Sequence, residues 1–103
     1  MKTILIVGGT GFIGYHLAKN CKKKLNVISI STRKPRKDRF IKGVKYFYID
    51  ISKKNQLSKI KNFKIDYVVN LGGYVDHSNK IKTFSSHFIG AKNLFYFFKN
   101  KNI

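Results

Sequence analysis

Eight residues near the start, Val7-Gly8-Gly9-Thr10-Gly11-Phe12-Ile13-Gly14, restrict most strongly what this chain can fold into. Ahead of them stands Thr3-Ile4-Leu5-Ile6-Val7, a β-branched apolar run too short for a helix and bounded by glycine. Behind them Ile13, Leu17 and Cys21 recur at four-residue intervals, the spacing of one helix face. A buried strand, a glycine turn and a helix in that order give a glycine motif its meaning. From Gly9 the stretch reads G-x-G-x-x-G, and from Gly8 it reads G-x-x-G-x-x-G. Glycines allow a sharp turn and a close approach of backbone to a pyrophosphate, and Gly14 lets the helix lie tight on a sheet. The open N–H groups and positive end of that helix then face the phosphates. A dinucleotide is the expected ligand, and a turn that is merely structural is the alternative.

The length of 103 residues allows one domain, here residues 1–103, and a broad parallel sheet is marginal at that size. Hydrophobic residues make up 43%, enough for a packed core. The single Cys21 can form no internal disulfide, and a reducing, cytoplasmic compartment is the default expectation. The apolar start is cut by glycine well short of a signal peptide, and no stretch nears the roughly 20 apolar residues of a membrane span. The net charge of +18, from 22 basic and 4 acidic residues, raises the question of nucleic acid. The lysines are scattered, however, and they accompany Ile, Asn, Phe and Tyr, all of which have AT-rich codons. Only 33–39 is a dense basic cluster, so nucleic-acid binding through it is a minor alternative.

After the first helix, Leu25-Asn26-Val27-Ile28-Ser29-Ile30-Ser31 reads as a second strand, parallel to the first because material of crossover length separates them. At the end of a second strand the adenosine ribose of a dinucleotide would lie. An acid there suits the 2′-hydroxyl of NAD, and an arginine suits the 2′-phosphate of NADP. The sequence supplies Ser31-Thr32-Arg33-Lys34 and no carboxylate before Asp38, which favours NADP over NAD, with Arg33 as the phosphate ligand. The bland reading of Arg33 is a solvated basic loop.

A third strand is expected over Val44–Ile51, which places Asp50 at the carboxyl edge of the sheet. Asp50 can accept from an adenine amino group or, more plainly, start the next turn. Leu57, Ile60 and Phe63 follow at helical spacing, and Asp66–Leu71 reads as a fourth strand ending in Gly72-Gly73. Glycines there point to backbone close to a ligand. The roles of Asp76, His77 and His87 stay open. A helix with a broad apolar face is expected from about Thr83 to Phe98.

Gly8-Gly9-Thr10-Gly11-Phe12-Ile13-Gly14, Asp50-Ile51, Leu71-Gly72-Gly73 and Gly90-Ala91-Lys92-Asn93-Leu94 occur in the order and spacing of one family. Together they resemble the extended short-chain dehydrogenase/reductases, the NAD(P)-dependent epimerase/dehydratase group. The resemblance covers the whole chain but only the first part of such an enzyme. It implies an α/β Rossmann-type parallel sheet of four βα units in order 3-2-1-4, with helices on both faces, incomplete against the full family fold. It also implies that the glycine turn and the backbone at Phe12 and Ile13 hold the pyrophosphate. By the same resemblance Asp50 and the backbone at Ile51 meet adenine, and Leu71-Gly72-Gly73 lies along the cofactor.

Two departures follow from the resemblance. His87 stands where the family has its first asparagine of the last helix, and Ala91 where it has threonine. The family's catalytic Ser/Thr and Tyr-x-x-x-Lys come from later strands. The Tyr15/Lys19 match here lies beside the glycine turn rather than at the nicotinamide, and is read as coincidence. The chain is expected to hold cofactor and not to react by itself, as part of a parent enzyme acting on a nucleotide-activated sugar or similar small molecule. The alternative is a non-catalytic NADP(H)-binding or sensing module. Without further strands the fourth strand is an open edge, so the isolated chain is expected to aggregate, oligomerise or need a partner.

Overall fold

A computed structural model describes residues 1–71 and 88–99. The apolar run after Lys2 forms β1, Thr3–Val7, and the glycine turn leads into α1, Phe12–Cys21. Strand β2 spans Asn26–Ser31, β3 spans Lys45–Tyr48 and β4 spans Tyr67–Asn70. A short 3-10 turn at Lys37–Arg39 precedes β3, and a longer 3-10 segment at Lys54–Ile60 follows it. The last element is α2, Gly90–Phe98.

The four strands are parallel and lie in the order β3-β2-β1-β4, as the sequence implies. The chain therefore runs outward from β1 to one side, then returns to pair β4 on the other side. That reversal makes the carboxyl end of β1 a topological switch point, where open parallel sheets place their ligands. Gly8 N–H donates to Ile30 O at 2.8 Å and Leu71 N–H to Val7 O at 2.8 Å, so both ladders of β1 run up to the glycine turn.

Each face of the sheet has its own apolar layer. Ile4, Ile6 and Val27 pack with Ala18 of α1 and with Ile41 and Val44 on one face. Leu5, Val7, Ile28 and Ile30 pack on the other with Leu57 and Ile60 of the 3-10 segment and Leu94 of α2. Side chains covered on both faces explain why β1 reads as a continuous apolar run and β2 alternates only partly. Leu5, Ile6, Ile30, Leu57 and Ile60 are wholly buried, each contributing about 1.5–3 kcal/mol by the usual area relation.

The structure amends four expectations. The inner face of α1 is Gly14 and Ala18, with Leu17 and Cys21 half-buried, while Ile13 is 67% exposed. Small residues win because the helix lies so close to the turn that a bulky side chain does not fit. The pattern through Leu57 and Ile60 forms a 3-10 segment instead of an α-helix, yet buries the same two side chains. Strand β3 covers only Lys45–Tyr48, so Asp50 lies in the loop beyond it. The broad apolar face expected of the last helix is narrower, with Leu94 buried and Phe97 and Phe98 packed against the core while Phe95 and Tyr96 are exposed. The segments holding Gly72, Gly73, Asp76, His77 and His87, and the start of the last expected helix, lie outside the described residues. Among the described residues no helix is long and apolar enough to cross a membrane.

Candidate functional site

Three of the four glycines around the turn have reasons within the protein itself. Gly8 has φ +83, a conformation in which side chains are strained. A Cβ on Gly9 would overlap the Ser29 hydroxyl and come within 2.9 Å of Ser29 Cβ. A Cβ on Gly14 would overlap the Gly8 carbonyl oxygen and lie 2.6 Å from Gly9 Cα. Gly9 and Gly14 are thus fixed by helix α1 lying on the turn and the turn lying on β2.

Gly11 is different. It is exposed, its backbone is extended at φ −75 and ψ 178, and the nearest atom to a Cβ there is Gly8 O at an ordinary 3.6 Å. It occupies the N-cap of α1, a position where serine, threonine or aspartate would accept an N–H of the first turn. No side chain caps this helix, and its first turn holds no acid. The N–H groups of a first turn have no acceptor within the helix, and here no side-chain cap takes them. An anion fits such a helix start because both the N–H groups and the helix dipole favour negative charge.

The loop after β2 is tied to this turn. Ser31 Oγ shares a hydrogen bond with Thr10 Oγ1 at 2.9 Å and accepts Arg33 N–H at 3.1 Å. Ser31, at the last position of β2, therefore joins the glycine turn to the segment that carries Arg33. The Arg33 side chain is exposed. Further along, Arg36 pairs with Asp38, Nε to Oδ1 at 3.3 Å, both side chains open to solvent. Arg39 returns toward the turn, its guanidinium carbon 5.7 Å from the centroid of the Phe12 ring.

Next along the same edge of the sheet lies Asp50. Its Oδ1 accepts both the N–H of Ser52, at 3.0 Å, and the hydroxyl of Ser52, at 2.6 Å. Gln56 Oε1 accepts Asp50 N–H at 2.8 Å. Asp50 thus does the turn-forming job that the plainer sequence reading assigns it, and among the described residues nothing engages Oδ2. Ile51 is buried and its carbonyl accepts Asn93 Nδ2 at 2.8 Å, which anchors α2 to this loop. Gly90 allows the approach, since a Cβ there would meet Ile51 Cγ1 at 2.7 Å. Leu71 follows β4 at the same edge, 40% exposed.

Thr10, Gly11, Phe12, Ile13, Arg33, Asp50, Ile51 and Leu71 consequently line one edge of one sheet, although 61 positions separate the first from the last. Tyr15 and Lys19 contact each other on α1, with the ammonium 5.9 Å from the ring centroid. Sequence reasoning missed three residues: Ser29 as the floor under Gly9, Asn93 as the tie to Ile51, and Arg39 as a neighbour of Phe12. Ser29 carries a visible signal, a small polar residue between Ile28 and Ile30 in the apolar middle of β2. Arg39 carries none, because its proximity to Phe12 depends on the path of an irregular loop. Among the described residues no cluster of His, Cys, Asp or Glu could hold a metal ion.

Solved structures share this fold. L-threonine dehydrogenase from Clostridium difficile superposes with a TM-score of 0.82 at 23% identity, over 94% of this chain and 33% of that one. UDP-glucose 4-epimerase from Thermus thermophilus, solved as a complex with NAD, gives 0.82 at 22% identity, over 92% and 33%. An epimerase from Methanothermobacter thermautotrophicus gives 0.84 at 21% identity, over 93% and 31%. This chain therefore spans about a third of the length of these neighbours. Comparison with curated protein sequences finds no match. The model of the NAD dependent epimerase/dehydratase family matches residues 4–103, nearly the whole chain, and with the Rossmann-like sheet it shows that this chain belongs to that family.

Proposed function

We propose that residues 1–103 form the cofactor-binding part of an NAD(P)-dependent epimerase, dehydratase or reductase, with NADP preferred over NAD. The observation that carries this reading is Gly11. At that position the protein has room for a side chain and gives up a helix cap, so the glycine is explained by something outside the protein that must come close. A pyrophosphate meets that description.

In this reading the backbone of Gly11, Phe12 and Ile13 holds the pyrophosphate, and Gly8, Gly9 and Gly14 shape the turn beneath it. Asp50 Oδ2 accepts from the adenine amino group, and the Ile51 N–H donates to the adjacent ring nitrogen. Arg33 faces the 2′-phosphate of NADP with a planar, permanently charged fork. Thr10 and Ser31 fix the distance between Arg33 and the turn. Leu71, just beyond β4, lies along the cofactor on its way to the nicotinamide. Held there, the dinucleotide would supply hydride exchange with a substrate. The part played by this chain is to bind and orient the dinucleotide, and the residues described include no acid–base pair placed to move a substrate proton. A nucleotide-activated sugar or similar small molecule is the substrate class proposed for the whole protein.

Titration of the purified chain with NADPH and NADH tests this. The expected result is saturable binding of both, tighter for NADPH, with the preference reversed or erased in Arg33→Asp. A folded chain that binds neither cofactor contradicts the proposal, and equal affinities unaffected by Arg33→Asp contradict its NADP part.

A further inference from the structure

The basic segment after β2 contains three arginines, and the structure treats them differently. Arg36 is neutralised by Asp38. Arg33 and Arg39 have no carboxylate partner among the described residues. Arg33 is held at its backbone by Ser31, which is bonded to the glycine turn through Thr10. Arg39 is held at its side chain, over the face of the Phe12 ring. Phe12 is itself 64% exposed, an unusual setting for a phenylalanine at the first position of a helix. Its edge is braced by His16 one turn on, with ring centroids 4.6 Å apart. The segment 33–39 therefore arches from the end of β2 back to the start of α1, attached at both feet, with an unpaired guanidinium at each.

We propose that Arg39 is a second specificity-determining residue for the 2′-phosphate of NADP, and that Phe12 acts through its side chain as the positioning residue that holds Arg39 at the mouth of the site. This inference rests on the reading of the turn as a dinucleotide site. An aromatic face attracts a guanidinium and leaves the N–H groups at its rim free to donate. A phosphate dianion is met best by two such forks, since each donates a bidentate pair. The exposure of Phe12 then has a cause: its ring is a platform for Arg39 rather than a core side chain. Arg39 and Phe12 belong to the rim of the site, and neither fills the core, so their substitution leaves the fold in place.

The test measures dissociation constants of NADPH and NADH, and of adenosine 2′,5′-bisphosphate and adenosine 5′-monophosphate, for wild type, Arg39→Gln, Phe12→Leu and Phe12→Tyr. The two adenosine probes lack the pyrophosphate, so their difference reports the 2′-phosphate alone. Arg39→Gln is expected to weaken NADPH and the bisphosphate about tenfold while NADH and the monophosphate change less than twofold. Phe12→Leu is expected to act in the same direction with a smaller effect, and Phe12→Tyr, which keeps the ring, to restore wild-type behaviour. Unchanged NADPH affinity in Arg39→Gln overturns the proposal while the dinucleotide site stands. Equal losses for NADPH and NADH assign Arg39 to the pyrophosphate and overturn its role in specificity. Wild type that binds none of the four ligands overturns this inference together with the function it rests on.

Discussion

The floor and the rim of the glycine turn are built from the same residue type for opposite reasons. On the floor, Gly9 and Gly14 are packed so closely against Ser29 and against each other that no side chain fits. On the rim, Gly11 faces open space and Phe12 and Ile13 project from the protein at 64% and 67% exposure. The floor explains itself through packing. The rim has no such packing reason, and the proposed dinucleotide accounts for it: an exposed glycine at a helix start without a side-chain cap leaves room for a ligand. One glycine motif thus divides into residues fixed by packing and residues that, in the proposed site, serve a ligand, and substitution separates the two.

The largest expected effect is on the floor. Gly14→Val drives branched carbons into the Gly8 carbonyl and the Gly9 backbone, which cannot yield as a flexible side chain would. A loss of more than about 4 kcal/mol is expected, read as loss of the cooperative urea transition. Gly9→Ala is next, at about 2–3 kcal/mol for overpacking against Ser29. Ser29→Gly in the same chain removes the atoms that clash, so the double variant is expected to be more stable than the sum of the two single losses by at least about 1 kcal/mol. Simple additivity in that cycle would mean that Ser29 is not what excludes a side chain at Gly9.

A smaller effect of opposite sign is expected at Ser29 alone. Its hydroxyl is buried and has no hydrogen-bond partner among the described residues. A buried hydroxyl in that state costs about 1–3 kcal/mol relative to an apolar group of similar size. Ser29→Ala is therefore expected to stabilise by about 1 kcal/mol, a rise of roughly 4–8 °C in Tm for a domain of this size. A fall in Tm would show that the hydroxyl has a partner in solution.

The contrast also shows what a sequence can and cannot disclose. Strand order and the position of the turn were legible because β1 and β2 are apolar runs of strand length, and because glycines punctuate them at fixed spacing. The inner face of α1 was misread through Ile13, since hydrophobic periodicity assumes that buried means apolar and large. Here the helix is so close to the turn that buried means small, as Gly14 and Ala18 show. The 3-10 geometry of Lys54–Ile60 was hidden for a related reason, because Leu57 and Ile60 are three apart and satisfy either helix. Asp50 was legible as a turn residue, but the division of its carboxylate was not, one oxygen spent on Ser52 and the other without a partner among the described residues. The pairing of Arg39 with Phe12 joins residues 27 positions apart through an irregular loop, and no local pattern encodes it.

The most direct test of the central claim is Gly11→Ala, measured for cofactor affinity and thermal stability in the same preparation. The backbone at Gly11 is one that alanine adopts freely and the space for its methyl group is open. Alanine restricts the unfolded chain but is a poorer N-cap than glycine, so the two effects oppose and Tm is expected to change by an amount corresponding to at most about 1 kcal/mol. NADPH affinity is expected to fall at least tenfold, because in the proposed site the methyl group stands where the pyrophosphate approaches. Wild-type affinity in a variant of undiminished stability would contradict the claim that Gly11 is glycine for the sake of a bound dinucleotide.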